Sequence, residues 1–160
     1  MTTNAATVTT IAPGSYTAYL DTNVILSYLL GEPPATADAA RMCLAAADRG
    51  DVCLLITPTT LAEVVWVLSS AYREPRHEIA SQVLTFISAQ GISSENQDEI
   101  TQALSLYRDK KIDFADALLA ARCLLSGLPV IYSFDRHFDR VPGLQRLVPG
   151  QPSPTEDSTR

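Results

Sequence analysis

Four acidic residues stand beside the ends of apolar runs in this chain of 160 residues. They are Asp21, Glu63, Asp116 and Asp135, in the segments AYLDTNVIL, TLAEVVWVL, DFADALLAA and VIYSFDRHF. Removing a carboxylate from water is costly, so four of them at the ends of strands and core helices indicate a chemical role. Hard divalent cations prefer carboxylate oxygens as ligands, and the pattern therefore predicts a metal site.

Asp21 and Glu63 each have a second interpretation, as helix-capping residues. Asp21 directly follows a strand-like run, and open parallel sheets bind ligands at the carboxyl ends of their strands. Asp21, Thr22 and Asn23 also have side chains that can cap a following helix. Glu63 lies three residues after Thr60, which is the spacing of a capping box. Metal binding and capping are therefore alternatives for both carboxylates.

Asp113 and Asp116 are three residues apart at the start of a predicted helix. This spacing places both side chains on roughly one face, and the positive end of the helix dipole favours both charges. The position of Asp113 is that of an N-cap residue, which explains it without a metal. We therefore predict that Asp116 is the metal ligand and keep Asp113 as a candidate for a supporting or additional ligand.

Asp135 follows a strand-like run and is directly followed by basic residues. A surface turn is the alternative interpretation of this segment. Arg136 and Arg140 favour a functional site, because a nuclease needs positive charge near the strand that it cleaves. His137 and His77 are isolated histidines, and we predict that both are surface residues.

Length and composition predict one domain over residues 16–148, with flexible tails at 1–15 and 149–160. The net charge of −6 argues against a broad basic surface for nucleic acid, although it allows a local site whose charge a metal offsets.

The three cysteines are far apart in apolar surroundings, which predicts reduced core residues. No membrane span or secretory signal is evident, so we expect a cytoplasmic protein.

Short strand-like runs alternate with longer helical patterns, which predicts an α/β fold with parallel strands and crossover helices. The predicted strands are 17–20, 52–56, 91–93, 128–133 and 144–148. The predicted helices are 24–30, 35–49, 60–72, 75–89, 97–109 and 114–126. We expect the strand at 128–133 to be buried, the strand at 144–148 to lie at an edge, and Gly127 to end the helix before it.

Four segments, in this order, resemble the PIN-domain ribonucleases, and among them the VapC-type toxins of toxin–antitoxin pairs. They are LDTNVIL at 20–26, TLAEVV at 60–65, DFADALLAA at 113–121 and SFDRHFDRVPGL at 133–144. The resemblance runs from 16 to 148 and implies a Rossmann-like α/β/α sandwich with a parallel central sheet. It also implies a pocket for one or two Mg²⁺ or Mn²⁺ ions, formed by Asp21, Glu63, Asp116 and Asp135. Thr22, Asn23 and Ser133 would support this pocket, with Ser133 standing where the family often has Thr.

The implied activity is metal-dependent hydrolysis of RNA by an activated water molecule. Arg136, Arg140, Lys110 and Lys111 are candidates for binding RNA phosphates. The implied partners are an RNA substrate, a VapB-like antitoxin and a second copy of the chain. The helix at 60–72 is apolar on more than one face, with Trp66 outside its main apolar stripe, and this favours a dimer face or an antitoxin groove over a merely buried helix.

Other functions fit parts of the pattern. A PIN nuclease that acts in RNA maturation or quality control would have the same motifs. An aspartyl phosphotransfer or phosphatase domain also places Asp after the first strand, but the phosphatase pattern requires a second Asp where this chain has Asn23. An inactive RNA-binding or protein-binding module is the non-enzymatic alternative, and the presence of all four acidic residues argues against it.

Overall fold

The computed structural model describes residues 16–151, and its helices and strands lie close to the predicted bounds. The strands are β1 (Tyr16–Tyr19), β2 (Val52–Ile56), β3 (Ile92–Ser94), β4 (Val130–Tyr132) and β5 (Gln145–Leu147). The helices are α1 (Thr22–Leu30), α2 (Pro34–Asp48), α3 (Pro58–Ser70), α4 (Arg76–Ile87), α5 (Gln97–Lys110) and α6 (Phe114–Leu125), with a 3₁₀ helix at Arg136–Arg140. The predicted tails lie outside the described residues, except for 149–151.

The backbone forms two compact units, which divide between Gln97 and Asp98. The first unit contains a parallel sheet in the order β1-β2-β3, and Tyr16 pairs with Val52 at the start of the first ladder. Parallel neighbours require crossover connections, and α1 with α2 and then α3 with α4 supply them. The strands of this sheet therefore end at one edge, where Asp21 follows β1.

Apolar side chains at a helical period anchor α3 in the first unit. Leu61, Val64, Val65 and Leu68 are buried, and α3 packs against α1 and α4. The side chains of β2 alternate between buried and half-buried, with Val52, Leu54 and Ile56 buried. Burial of the apolar face of α3 fixes the rotation of this helix about its axis. This rotation leaves Glu63 exposed.

The second unit contains α5, α6, the 3₁₀ helix and a parallel pair of strands, β4 and β5. A Schellman motif ends α6, because the amide of Leu128 donates to the carbonyl of Cys123 and the amide of Gly127 donates to that of Leu124. Gly127 has a φ of 74°, which a residue with a side chain rarely adopts. The predicted end of this helix is confirmed.

The predicted buried strand at 128–133 is wrong in both length and burial. β4 covers only Val130–Tyr132, and both terminal side chains are exposed. A strand buries its apolar side chains where helices cover the faces of its sheet, and the exposure of Val130 and Tyr132, which lie on one face of β4, shows that this face is not covered within residues 16–151. The parallel direction of the strands is as expected, and they lie in a three-stranded and a two-stranded sheet.

The sequence also led to predictions about the cysteines and about membrane spans. Cys43, Cys53 and Cys123 are free, as predicted, but they are half-buried and not core residues as expected. None of the helices within residues 16–151 combines the length and apolar character that a membrane span requires.

Candidate metal centre

Asp21 lies at the carboxyl end of β1 and occupies the N-cap position of α1. Its backbone carbonyl accepts hydrogen bonds from the amides of Val24 and Ile25, at 3.1 and 3.3 Å. Within the described part of the chain, its side chain makes no capping hydrogen bond. The capping interpretation is therefore correct for the backbone of Asp21 and not for its carboxylate, which is exposed and can bind a cation.

Thr22, the first residue of α1, connects this strand end to Glu63 on α3. Its Oγ1 donates a 2.8 Å hydrogen bond to Oε2 of Glu63. Thr22 is only 7% exposed, so its hydroxyl has little access to competing water. The bond holds the Glu63 carboxylate beside the residue that follows Asp21. Asn23 is exposed in the same helical turn.

The capping-box interpretation of Glu63 is wrong, because α3 begins earlier than the sequence pattern suggested. Its N-cap is Thr57, whose Oγ1 accepts a 3.1 Å hydrogen bond from the amide of Thr60. Pro58 follows at the first helical position, where proline is favoured. The Thr-Pro pair was the signal for this helix start. Glu63 therefore lies beyond the first turn, and its carboxylate is not used for capping.

In the second unit, Asp116 and Asp135 approach each other, together with His137. Each can offer one ligand atom such that all three atoms lie within 4.8 Å of one another. Asp116 is half-buried in the first turn of α6. Burial raises the pKa of the Asp116 carboxyl, the negative charges of Asp135 and Asp113 raise this pKa further, and His137 opposes them. A cation would relieve the same repulsion.

Asp135 is the N-cap of the 3₁₀ helix. Its Oδ1 accepts a 2.8 Å hydrogen bond from the amide of His137, and its own amide donates to Oγ of Ser133 at 3.0 Å. The predicted surface turn is present, because the Asp135 side chain is 43% exposed. The turn also aims one carboxylate oxygen towards Nδ1 of His137, at 3.1 Å. The side chain of His137 is 40% exposed, as expected for a surface residue, but its Nδ1 faces Asp135.

Arg146 on β5 shapes the segment that carries Asp135, a role that no sequence motif indicated. Its guanidinium donates to both carboxylate oxygens of Asp139, at 2.8 and 2.9 Å, and to the carbonyl of Ser133 at 3.1 Å. These bonds lower the pKa of Asp139. Arg146 and Ser133 are 13 residues apart and belong to different elements, so no local spacing reveals their contact.

Asp113 occupies the predicted N-cap position of α6, and its carbonyl accepts from the amide of Ala117 at 2.8 Å. Within residues 16–151 its side chain makes no capping hydrogen bond. The N-cap position is thus confirmed, whereas the carboxylate acts on Asp116 through its charge. A supporting role for Asp113 in a metal centre is consistent with this placement.

The four basic candidates for phosphate binding all belong to the second unit. Arg136 and Arg140 are exposed on the 3₁₀ helix that follows Asp135. Nη1 of Arg140 donates to the carbonyl of Lys111 at 3.2 Å, so the segment after α5 lies against this helix. Lys110 is half-buried at the end of α5 and Lys111 is exposed. Positive charge therefore borders the Asp135 segment.

The predicted site residues thus form two groups. The first unit joins Thr22 to Glu63 beside Asp21. The second unit joins Asp116, Asp135 and His137. The carboxylate oxygens of Asp116 and Asp135 are ligands that fit a divalent cation. Such a cation would stabilise the ionised form of Asp116, whose pKa is raised.

Comparisons with known proteins identify the family. The PIN domain family model matches residues 18–144, a range that includes every acidic residue of both groups. A VapC ribonuclease from Aquifex aeolicus (strain VF5) is 25% identical over 134 residues, which cover 84% of this chain and 98% of that protein. A family match over most of the chain agrees with the parallel strands and crossover helices described above. The chain belongs to the PIN-domain family.

Proposed function

We propose that this protein is a VapC-type endoribonuclease that hydrolyses RNA phosphodiester bonds with Mg²⁺ or Mn²⁺. The observation that carries the proposal is the approach of Asp116 and Asp135 within a chain that matches the PIN domain over residues 18–144. The similarity to a VapC ribonuclease over nearly the full length of that relative supports the choice of RNA.

The metal ligands in this proposal are Asp21, Glu63, Asp116 and Asp135. A bound Mg²⁺ or Mn²⁺ would lower the pKa of a coordinated water molecule and stabilise negative charge on the phosphate. Asp116 is half-buried beside other carboxylates, which makes a cation the natural partner of its ionised form. Asp113 supports the site through its charge.

The other polar residues hold these carboxylates in place. Thr22 fixes one oxygen of Glu63 and leaves the other free to bind a cation or to orient water. Ser133 fixes the backbone of Asp135, and Asn23 adds an exposed amide beside Asp21. A carboxylate that is already positioned loses less rotamer entropy when it binds a ligand.

Positive side chains near Asp135 would bind the RNA backbone. Arg136, Arg140, Lys110 and Lys111 are in the same unit as Asp135, and a net charge of −6 leaves the rest of the surface unfavourable for RNA. Contacts of this kind position the strand and carry no base sequence information. The proposal therefore expects strong dependence of RNA binding on salt.

Two protein partners belong to the proposal, a VapB-like antitoxin and a second copy of the chain, all in the cytoplasm. Trp66 supports a protein interface on α3, because it is 66% exposed while the opposite side of the same helix is buried. Aromatic residues in exposed positions are enriched at protein interfaces. We assign this face to the homodimer.

The test is cleavage of a structured RNA pool by antitoxin-free protein in Mg²⁺, in Mn²⁺ and in EDTA. The proposal expects cleavage in at least one metal, no cleavage in EDTA, and no comparable cleavage of DNA of the same sequence. Folded protein that leaves transfer RNA and ribosomal RNA intact in both metals would contradict it. Cleavage that continues in EDTA would contradict the metal-dependent mechanism.

A further inference from the structure

His137 adds a nitrogen atom to a site that family resemblance describes as acidic. It is placed there by the 3₁₀ turn, in which the carboxylate of Asp135 accepts a hydrogen bond from the amide of His137. The turn brings Nδ1 of the imidazole to 3.1 Å from Oδ2 of Asp135. The same histidine joins the group that includes Asp116.

The contact between Nδ1 and Oδ2 lacks the geometry of a hydrogen bond. Nδ1 of His137 is buried, and no hydrogen-bond partner for it is found in the described part of the chain. When the proton of the neutral imidazole is on Nε2, Nδ1 and the carboxylate oxygen each present a lone pair, so they repel at this distance unless a positive centre lies near both. A shared cation satisfies both atoms.

The spacing of the two atoms also fits shared coordination. Metal–ligand distances of roughly 2.1 Å in an octahedral site place adjacent ligand atoms about 3 Å apart. The Nδ1–Oδ2 distance of 3.1 Å matches this value. Opposite ligands in such a site are about 4.2 Å apart by the same geometry. The third ligand atom, from Asp116, falls within the 4.8 Å limit of the group.

We propose that His137 is a direct nitrogen ligand of the divalent cation held by Asp116 and Asp135, and that it shifts the site's preference from Mg²⁺ towards Mn²⁺. Mg²⁺ is a hard cation that takes oxygen ligands, whereas transition metal ions accept imidazole more readily. This assignment rests on the proposed nuclease function for its biological meaning, but its test reads the metal directly.

The experiment is pulsed electron paramagnetic resonance of Mn²⁺ bound to the full chain, which detects modulation from a coordinated ¹⁴N nucleus. We expect nitrogen modulation in the wild type and its loss in His137→Asn, whose amide oxygen can replace Nδ1 as a donor. His77→Gln is the matched control, because His77 is a histidine of the first unit with a side chain 71% exposed. It should keep the modulation.

Metal affinities measured by calorimetry give a second readout. His137→Asn should lower Mn²⁺ affinity by about tenfold or more, since the loss of even a supporting residue of a metal site has effects of this size. Its Mg²⁺ affinity should be unchanged or higher, because oxygen replaces nitrogen. Circular dichroism and thermal unfolding check that the variant folds, and His137→Gln provides a second variant without the imidazole.

The outcomes separate this inference from the nuclease proposal. Mn²⁺ that binds, is lost in Asp116→Asn and shows no nitrogen modulation would overturn the histidine ligand while leaving the nuclease intact. Protein that binds no Mn²⁺ would also overturn it. Nitrogen modulation in a protein that cleaves no RNA would support the ligand and contradict the nuclease.

Discussion

The hydroxyl of Thr22 donates a 2.8 Å hydrogen bond to Glu63, a residue 41 positions later in the chain. The bond joins the start of α1 to the second turn of α3, and both helices pack against each other beside it. A hydrogen bond to an ionised group contributes more than one between neutral groups. Thr22 therefore does more than begin a helix, because it sets the direction in which the Glu63 carboxylate points.

Thr22→Val should lower the cleavage rate because Val has the shape of Thr without the hydroxyl. We expect a fall in kcat of about tenfold with little change in KM, since the loss would affect orientation of a catalytic group. Stability should fall by about 1 kcal/mol. Thr22→Ser should restore most of the rate, and Thr59→Val, an exposed position on α3, serves as the control. A kcat for Thr22→Val equal to that of the wild type would show that the bond has no catalytic role.

Arg146→Ala should destabilise the second unit, because it removes three hydrogen bonds that hold the Ser133 and Asp139 ends of the Asp135 segment. The Arg146 side chain is 12% exposed, whereas that of its partner Asp139 is 51% exposed. We expect a loss in the free energy of unfolding, measured with urea, that exceeds the loss for a fully exposed Arg–Asp pair. Arg146→Lys should recover little of it, since Lys cannot form the two parallel bonds.

The control for Arg146 is Arg49→Ala. Arg49 also pairs with an Asp, Asp51, but both side chains are well exposed. Such pairs contribute about 0–1 kcal/mol. Equal losses for the two variants would mean that the additional hydrogen bond and lower exposure of Arg146 add nothing to stability.

Gly91→Ala should be strongly destabilising, because the backbone before β3 approaches α2 too closely for a side chain. An added Cβ would lie 2.2 Å from the carbonyl oxygen of Ala47, and Gly91 has a φ of 76°. Gly50 is the matched control, since its φ is 82° and a Cβ there would meet no atom within 4 Å in the described residues. We expect about 1 kcal/mol for Gly50→Ala from backbone strain alone and at least about 3 kcal/mol for Gly91→Ala. Similar values from thermal unfolding would contradict the steric argument.

Trp66→Lys should shift a homodimer towards monomer, because it places a charge at the centre of the proposed α3 interface. Light scattering at several protein concentrations measures the mass, and a dissociation constant weaker by about tenfold or more is expected for loss of an aromatic hot spot. Met42→Lys is the control, since Met42 is 73% exposed on α2. A wild-type dimer that remains intact in Trp66→Lys would rule out this face as the dimer interface.

Residues with strong local signals were predicted well. The period of Leu61, Val64 and Leu68 predicted a buried helix face, and the glycine after α6 predicted where that helix ends. The start of α3 was placed too late, because apolar periodicity begins after the Thr57-Pro58 cap that starts the helix. The exposure of β4 was not predictable, since an apolar run does not reveal whether helices cover both faces of its sheet.

The candidate site was predicted only in part, because its geometry depends on contacts between distant residues. Asp135 was proposed as a metal ligand because it follows an apolar run. Asp116 was proposed because it lies in the first turn of a predicted helix. His137 was dismissed as an isolated histidine, although a tight turn brings it back to Asp135. Arg146 could be found only from the fold, since its partners lie on another segment.

The proposed metal-dependent nuclease activity is tested most directly by single-turnover RNA cleavage with Asp21→Asn and Asp116→Asn. Asp98→Asn is the control, because Asp98 also lies in the first turn of a helix of the second unit. We predict that each site substitution lowers the rate by about a hundredfold or more in Mg²⁺ and in Mn²⁺, while Asp98→Asn cleaves like the wild type. Wild-type rates in folded Asp21→Asn or Asp116→Asn protein would contradict the account.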